Sequence, residues 1–471
     1  MLRGSLLILG IGLLQERIIC MWKKTKRIFQ RMSPFKMIAT YYLLTVIIAT
    51  ILLSLPFARQ PGVPYSFMDT LFLAFSAVSV TGLTTVNIGE TFSLAGIAII
   101  LFILQIGGIG IMALATFLWI LTKKRIGLRQ RQLIMTDHNQ LSLAGLVRML
   151  KQIVIIFLLI EVIGALVLGF YFLAYYPTWQ EAFLNGLFIS VSATTNAGFD
   201  LTGNSLQVFH RNYFVQIIIM ILIFLGAIGF PVLIEVKDFI KKRIRKQKPR
   251  FSLFAKITTS TYIILFLVGA LIFIAIESRN YLIGTSWHES MFYGLFQSIS
   301  TRSAGLTTLE LSQLSMPTLL IFALLMFIGA SPSSVGGGIR TTTFALNILF
   351  LYNFSRGRRS VQLFNREIHE EDLLKSFVVT LFAIIICFLA VLILAITEDQ
   401  PLLVLLFEVC SAFGTSGMSL GVTEEFSTIG KIVLMLLMFI GRVGILSFIF
   451  IIGGNDKKRT FHYPKERIII G

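Results

Sequence analysis

Eight long apolar runs, free of charge or broken by a single charged residue, recur along this 471-residue chain. They cover 37–58, 91–122, 152–177 (past Glu161), 212–234, 257–276, 311–339, 376–397 and 432–454 (past Arg442). A helix of about 20 residues, rising ~1.5 Å per residue, crosses a ~30 Å hydrocarbon layer, so each run is long enough to span. Charged residues make up 14% of the chain, against about 25% in soluble domains. That is too little polar surface for a water-facing shell. A soluble enzyme, a secreted disulfide scaffold and a disordered chain are excluded. The three cysteines (Cys20, Cys387, Cys410) form no CxxC pair and no framework.

The basic residues orient the spans. Of 41 Lys and Arg, 34 fall in 1–36, 123–151, 235–256, 353–375 and 453–471. The opposite connections hold Arg59, Arg211, Arg279, Arg302 and Lys431, and Arg340 and Arg442 lie inside spans. The basic side is expected to be cytoplasmic, with both termini inside. The net charge of +18 is therefore a topology signal, not a nucleic-acid surface. Residues 5–14 are apolar but too short to span, and no small-residue cleavage site follows. Residues 1–36 are expected to form a basic cytoplasmic segment able to lie on the membrane.

Each outer connection carries a further apolar stretch of about 12–15 residues, too short to cross. These are 66–79, 178–193, 286–300 and 400–413. Three open on Ser or Thr with an early Asp69, Glu181 or Glu289, and the fourth has Asp399 ahead of Pro401. Such residues start helices, so four short re-entrant helices are expected. Each ends in a glycine loop: Val80-Thr81-Gly82, Asn196-Ala197-Gly198, Ser303-Ala304-Gly305 and Thr415-Ser416-Gly417. The glycines are 116, 107 and 112 residues apart. The chain is thus a fourfold repeat of about 110 residues.

The expected fold is an all-α polytopic membrane protein. Four M1–pore helix–M2 repeats would surround one central pore with pseudo-fourfold symmetry. The expected divisions are 37–122, 123–245, 246–352 and 353–454, with 455–471 a cytoplasmic tail. Irregular backbone at membrane depth is tolerated only when buried or lining a wet cavity. Glycine permits torsions that turn carbonyls toward an axis, where a ring of oxygens can replace an ion's hydration shell. A lone glycine loop reads as a simple turn; four in register read as a pore. Asn196 and Asp200 could ligate an ion directly or could hold loop backbone.

The motifs VTGLT, TNAGFD, TRSAGLT and GTSGMS resemble those of the Trk/Ktr/HKT superfamily of cation transporters, from about residue 35 to the end. With a single basic segment ahead of the first span, the chain is most similar to the KtrB type, the membrane subunit of bacterial Ktr potassium uptake systems. The resemblance implies a channel-like fold in the cell membrane and K+ as the transported ion, with Na+ as the alternative. It implies a filter at Val80, Thr81, Gly82, Asn196, Ala197, Gly198, Ser303, Ala304, Gly305, Thr415, Ser416 and Gly417. Glycine at position 82, rather than serine, goes with potassium in that family. It also implies a homodimer among membrane lipids, with Ile468, Ile469 and Ile470 at the dimer interface or frayed. The partner would be a cytosolic KtrA-like ring binding ATP or ADP, since no nucleotide fingerprint occurs in this chain.

The span over 311–339 is interrupted by Gly329-Ala330-Ser331-Pro332-Ser333-Ser334-Val335-Gly336-Gly337-Gly338. Proline removes a helix hydrogen bond and the glycines weaken the helix. The stretch reads as a kink or as an unwound plug; the resemblance implies an intramembrane gate loop over 329–342. Arg442 lies mid-span, where a charge costs at least ~2.5–3.5 kcal/mol. It is expected to face a cavity or pair with Glu161. The resemblance places it in the pore, repelling cations and within reach of Gly336, Gly337 and Gly338. Glu161 could instead be a proton or sodium site. Gln105 to Gly110 reads as small-residue helix packing.

Two other classes fit less well. An intramembrane enzyme would carry His or acid pairs on its spans, yet His138, His210, His288, His369 and His462 all lie outside them. An organic-solute transporter favours inverted repeats, whereas these run parallel.

Overall fold

The structure is a computed structural model that describes residues 32–64, 66–110, 131–132, 135, 146–247, 250–358, 360–453 and 466. The first quarter holds α1 (Pro34–Ser54), α2 (Phe67–Ser79), a single turn α3 (Ile88–Thr91) and α4 (Leu94–Ile109). The second holds α5 (Leu146–Phe172), α6 (Trp179–Thr194), α7 (Tyr213–Ala227) and α8 (Phe230–Ile244). The third holds α9 (Leu253–Glu277), α10 (Trp287–Ser300), α11 (Met316–Ile328) and α12 (Thr341–Ser355). The fourth holds α13 (Glu370–Thr397), α14 (Leu402–Gly414), α15 (Thr428–Val443) and α16 (Ile445–Gly453). Residues 1–31 of the expected 1–36 segment and the Ile468–Ile470 tail lie outside the described residues, and α1 takes in the last three positions of that segment by starting at Pro34.

Among the described residues, four helices are long and apolar enough to cross a membrane, α1, α5, α9 and α13, and up to six spans result if each bent pair, α7 with α8 and α15 with α16, counts as one. Their outer faces leave large apolar side chains exposed, among them Ile47 and Ile51 on α1, Leu159 on α5, Leu271 on α9 and Phe388 on α13. A rim of this kind is unfavourable in water and neutral against lipid tails.

The short helices α2, α6, α10 and α14 start where local chemistry says they should. Ser66 Oγ accepts from Asp69 N, Thr178 Oγ1 accepts from Glu181 N, and Ser286 with Glu289 forms a capping box. These groups satisfy amide donors that the first turn leaves open. Carboxylates fix the second spans in the same way. Glu277 accepts from Ser315 N (3.0 Å) and Ser315 Oγ (2.6 Å), and Glu398 accepts from Ser427 N (2.9 Å). Each puts negative charge at the positive end of α11 or α15.

The sequence marked one broken second span; in the described residues the helix that opens each of the four second spans ends at a glycine of positive φ. α4, α7, α11 and α15 end beside Gly110, Gly229, Gly329 and Gly444, with φ of +94°, +99°, +62° and +89°. The chain turns by 102° between α7 and α8 and by 101° between α15 and α16. A single glycine in an apolar run looks like any other helix position. Its positive φ appears only once the surrounding helices are in place. A two-strand hairpin, β1 (Gln362–Leu363) and β2 (Arg366–Glu367), joins α12 to α13.

The quarters interlock in one direction. α4 packs on α6, α7 on α10, α11 on α14, and α15 on α2. Each second span therefore lies against the short helix of the next quarter, and the fourth closes on the first. Lys431 on α15 pairs with Asp69 on α2 at 2.9 Å, and Arg211 pairs with Glu289 at 3.4 Å.

Candidate functional site: a ring of four glycine loops

The four loops meet. A Cβ on Gly82 would strike the Ala197 carbonyl oxygen and lie 3.0 Å from Gly198 Cα. One on Gly198 would lie 2.9 Å from the Ala304 oxygen. One on Gly305 would strike the Ser416 oxygen, and one on Gly417 the Thr81 oxygen. The carbonyls of Thr81, Ala197, Ala304 and Ser416 thus form a closed circuit, each against the glycine of the adjoining quarter. The glycines have φ of +99°, +71°, +72° and +87°, and Val80, Asn196, Ser303 and Thr415 two residues earlier also have positive φ. Alternation at every second residue keeps each loop irregular where a helix would otherwise continue.

Side chains in the loops are turned into the protein. Thr81 Oγ1 lies 2.6 Å from Ser79 Oγ, Ser303 Oγ donates to Gly414 O at 2.9 Å, and Ser416 Oγ donates to Thr301 O at 3.2 Å. Asn196, oriented to suit both neighbours, donates to Ala193 O (2.8 Å) and accepts from Ala227 N (3.3 Å). Asp200 Oδ2 accepts from Thr202 N (2.9 Å) and Gly203 N (2.7 Å). Of the two roles open to Asn196 and Asp200, these bonds are the backbone-holding one.

Four serines support the loops and were not singled out in the sequence. Ser76 Oγ accepts from Gly82 N and Ser411 Oγ from Gly417 N, both at 3.1 Å. Ser192 Oγ donates to Phe199 O at 2.6 Å, and Ser300 Oγ donates to Leu306 O. The available signal was a serine five or six residues before each glycine.

Outside the ring lies a cavity of about 330 Å³ lined by all four glycines together with Asp200, Glu310 and Glu424. Glu90 lines the adjoining recess. One acid from each quarter thus surrounds the outer mouth, where their summed field concentrates cations. The double variant Glu90→Gln/Glu424→Gln should weaken the association of monovalent cations with this mouth about three- to tenfold at low salt. The deficit should vanish at high ionic strength, where the Debye length shrinks to ~3 Å. A deficit independent of salt would rule out this field effect.

Inside the ring, residues 329–340 fold back against it. A Cβ on Gly336 would meet the Ser303 side chain at 2.5 Å, one on Gly337 the Thr415 side chain at 2.7 Å, and one on Gly338 the Gly414 Cα at 3.3 Å. The segment is pinned to the second quarter: Ser331 N donates to Ala227 O (3.2 Å), and Phe230 N donates to Ser333 O (2.9 Å). Arg340 donates to Gly336 O within the segment.

Arg442 donates to Gly107 O and, at 3.5 Å, to Gly108 O. It caps the carbonyl end of α4, where a cation is favoured. Glu161 meets Gln105, whose Nε2 donates to its Oε2 at 2.5 Å. Gly107 and Gly108 also pack tightly, against Val78 and Thr195 respectively.

The TrkH family profile, described as "Cation transport protein", matches residues 17–453. The chain is 56% identical over 448 residues to the Ktr system potassium uptake protein D of Bacillus subtilis, covering 95% of this chain and 99% of that one. It is 31% identical over 453 residues to the potassium/sodium uptake protein NtpJ of Enterococcus hirae, covering 95% and 99%. The crystal structure of the potassium transporter TrkH from Vibrio parahaemolyticus superposes with a TM-score of 0.69 at 18% identity, over 90% of this chain and 86% of that one. That likeness shows a shared fold.

Proposed function

Because the chain belongs to the TrkH family of cation transport proteins, we propose that it is the ion-translocating membrane subunit of a potassium uptake system. K+ passes through the ring of loops at Gly82, Gly198, Gly305 and Gly417. The observation that carries this reading is the closed circuit of four carbonyls, each lodged against the next glycine. A dehydrated alkali ion needs several oxygens at once, and no single quarter supplies them. The short helices point their negative ends inward, which favours a cation. The 329–342 segment is the gate, lying under the ring, and Arg442 and Arg340 add positive charge below it.

The relative named for potassium uptake in a Ktr system supports K+ and a separate regulatory chain. In this reading the regulator is a cytosolic ring that binds ATP or ADP and contacts the basic loops, and the membrane subunit works as a homodimer in the cell membrane. The relative named for potassium and sodium makes Na+ the competing reading.

The test is uptake of labelled rubidium into proteoliposomes holding the purified chain. Uptake that K+ suppresses at lower concentration than Na+ is expected. Equal suppression would favour the sodium reading. No monovalent flux, with or without a regulator, would overturn the assignment.

A further inference from the structure

Arg302 is fully buried, although the sequence groups it with the outer connections. It follows α10 directly and precedes Ser303 of the third loop. Its Nη2 donates to Gly329 O at 2.8 Å. Its guanidinium carbon lies 4.4 Å from the centre of the Tyr262 ring. Nε and Nη1 have no acceptor among the described residues, and the Tyr262 and Thr258 hydroxyls, one turn apart on α9, are also unpartnered. No ion pair among the described residues reaches it.

A buried guanidinium without a carboxylate carries a large desolvation cost that one hydrogen bond offsets only in part. Its acceptor indicates another purpose. Gly329 is the residue at which α11 stops, with φ of +62°. The cation therefore sits at the negative end of that helix and at the upstream hinge of the 329–340 segment. On its other side the backbone runs straight into Ser303, whose side chain touches Gly336 and whose hydroxyl binds Gly414 O. The matching positions in the other quarters are Ser79, Thr195 and Gly414. The long cation occurs in the quarter that also carries the extended Gly-rich segment.

We propose that Arg302 is a positioning residue that clamps Gly329 to the third glycine loop and so holds the 329–340 segment under the ring. This rests on reading that segment as the gate. The bond belongs to the obstructing position, so weakening it frees the segment.

The test uses the full chain in proteoliposomes, without a regulator. A hydrogen bond from a charged donor corresponds to roughly tenfold or more in population. Arg302→Gln should raise rubidium uptake about tenfold, Arg302→Lys should restore most of the low rate, and thermal stability should not fall. In a chain lacking residues 333–337, Arg302→Gln should add nothing further, because both changes act on one element. If the deletion raises uptake while Arg302→Gln does not, or the two effects multiply, the clamp is wrong and the gate stands. If the deletion itself is silent, the gate reading fails. Should Arg302→Gln not fold, Tyr262→Leu removes the ring beneath the guanidinium and should raise uptake severalfold; a silent Tyr262→Leu overturns the clamp.

Discussion

Gly82→Ser is expected to lower the ratio of potassium to sodium permeability at least tenfold, moving it toward sodium. Gly82 holds φ of +99°, a conformation that L side chains rarely adopt, and a Cβ there strikes the Ala197 oxygen and crowds Gly198 Cα. Neither neighbour is the far end of a flexible side chain. Both belong to the backbone of the second loop, so two quarters of the ring must shift together. Overpacking of this kind costs about 1–3 kcal/mol. A tenfold change in preference corresponds to about 1.4 kcal/mol, so the distortion is large enough. A displaced ring offers its oxygens unevenly, which penalises the ion that depends on all of them at once. Bi-ionic reversal potentials or competitive rubidium uptake would measure the ratio. An unchanged ratio in a well-folded variant would remove Gly82 from the selective ring.

Deleting residues 333–337 should raise rubidium uptake by at least tenfold in the absence of any regulator. The segment lies against Ser303, Thr415 and Gly414 on the inner side of the ring. It is held there by backbone bonds to Ala227 and Phe230 and by Arg340. Net contributions of about 0.5–1.5 kcal/mol per bond add up to an obstruction rarely vacated without outside work. The deletion removes the Ser333 carbonyl that receives Phe230 N and two of the glycines that face the ring, Gly336 and Gly337. Size-exclusion behaviour would verify assembly. A fall in uptake with normal assembly would contradict the gate and would suggest that the segment supports the ring instead.

The short helices were legible because their starts are local. Ser66 with Asp69, Thr178 with Glu181 and Ser286 with Glu289 each complete a cap within one turn. Observed starts at Phe67, Trp179, Trp287 and Leu402 fall within two residues of the expected ones. The meeting of Gly82, Gly198, Gly305 and Gly417 was legible for a different reason: the repeat made their equivalence visible even though no contact was. What stayed hidden depends on neighbours far along the chain. Gly110, Gly229 and Gly444 read as ordinary members of apolar runs, and their positive φ comes from tertiary placement. Arg302 reads as a loop cation because its acceptor is 27 residues away. Arg442 bonds Gly107 and Gly108, 335 and 334 positions earlier, contacts that its own neighbourhood in the sequence does not display. No local pattern distinguishes one carbonyl from another at that distance.

The one-way interlocking of the quarters bears on how the protein is made. The seam between last and first, where α15 meets α2 and Lys431 reaches Asp69 across 362 positions, cannot form until nearly the whole polypeptide has left the ribosome. A nascent chain in the bilayer therefore has three quarters of a passage and no sealed wall. The ring of four carbonyls is completed only when the fourth quarter joins the first, because the Thr81 oxygen meets Gly417 across that seam.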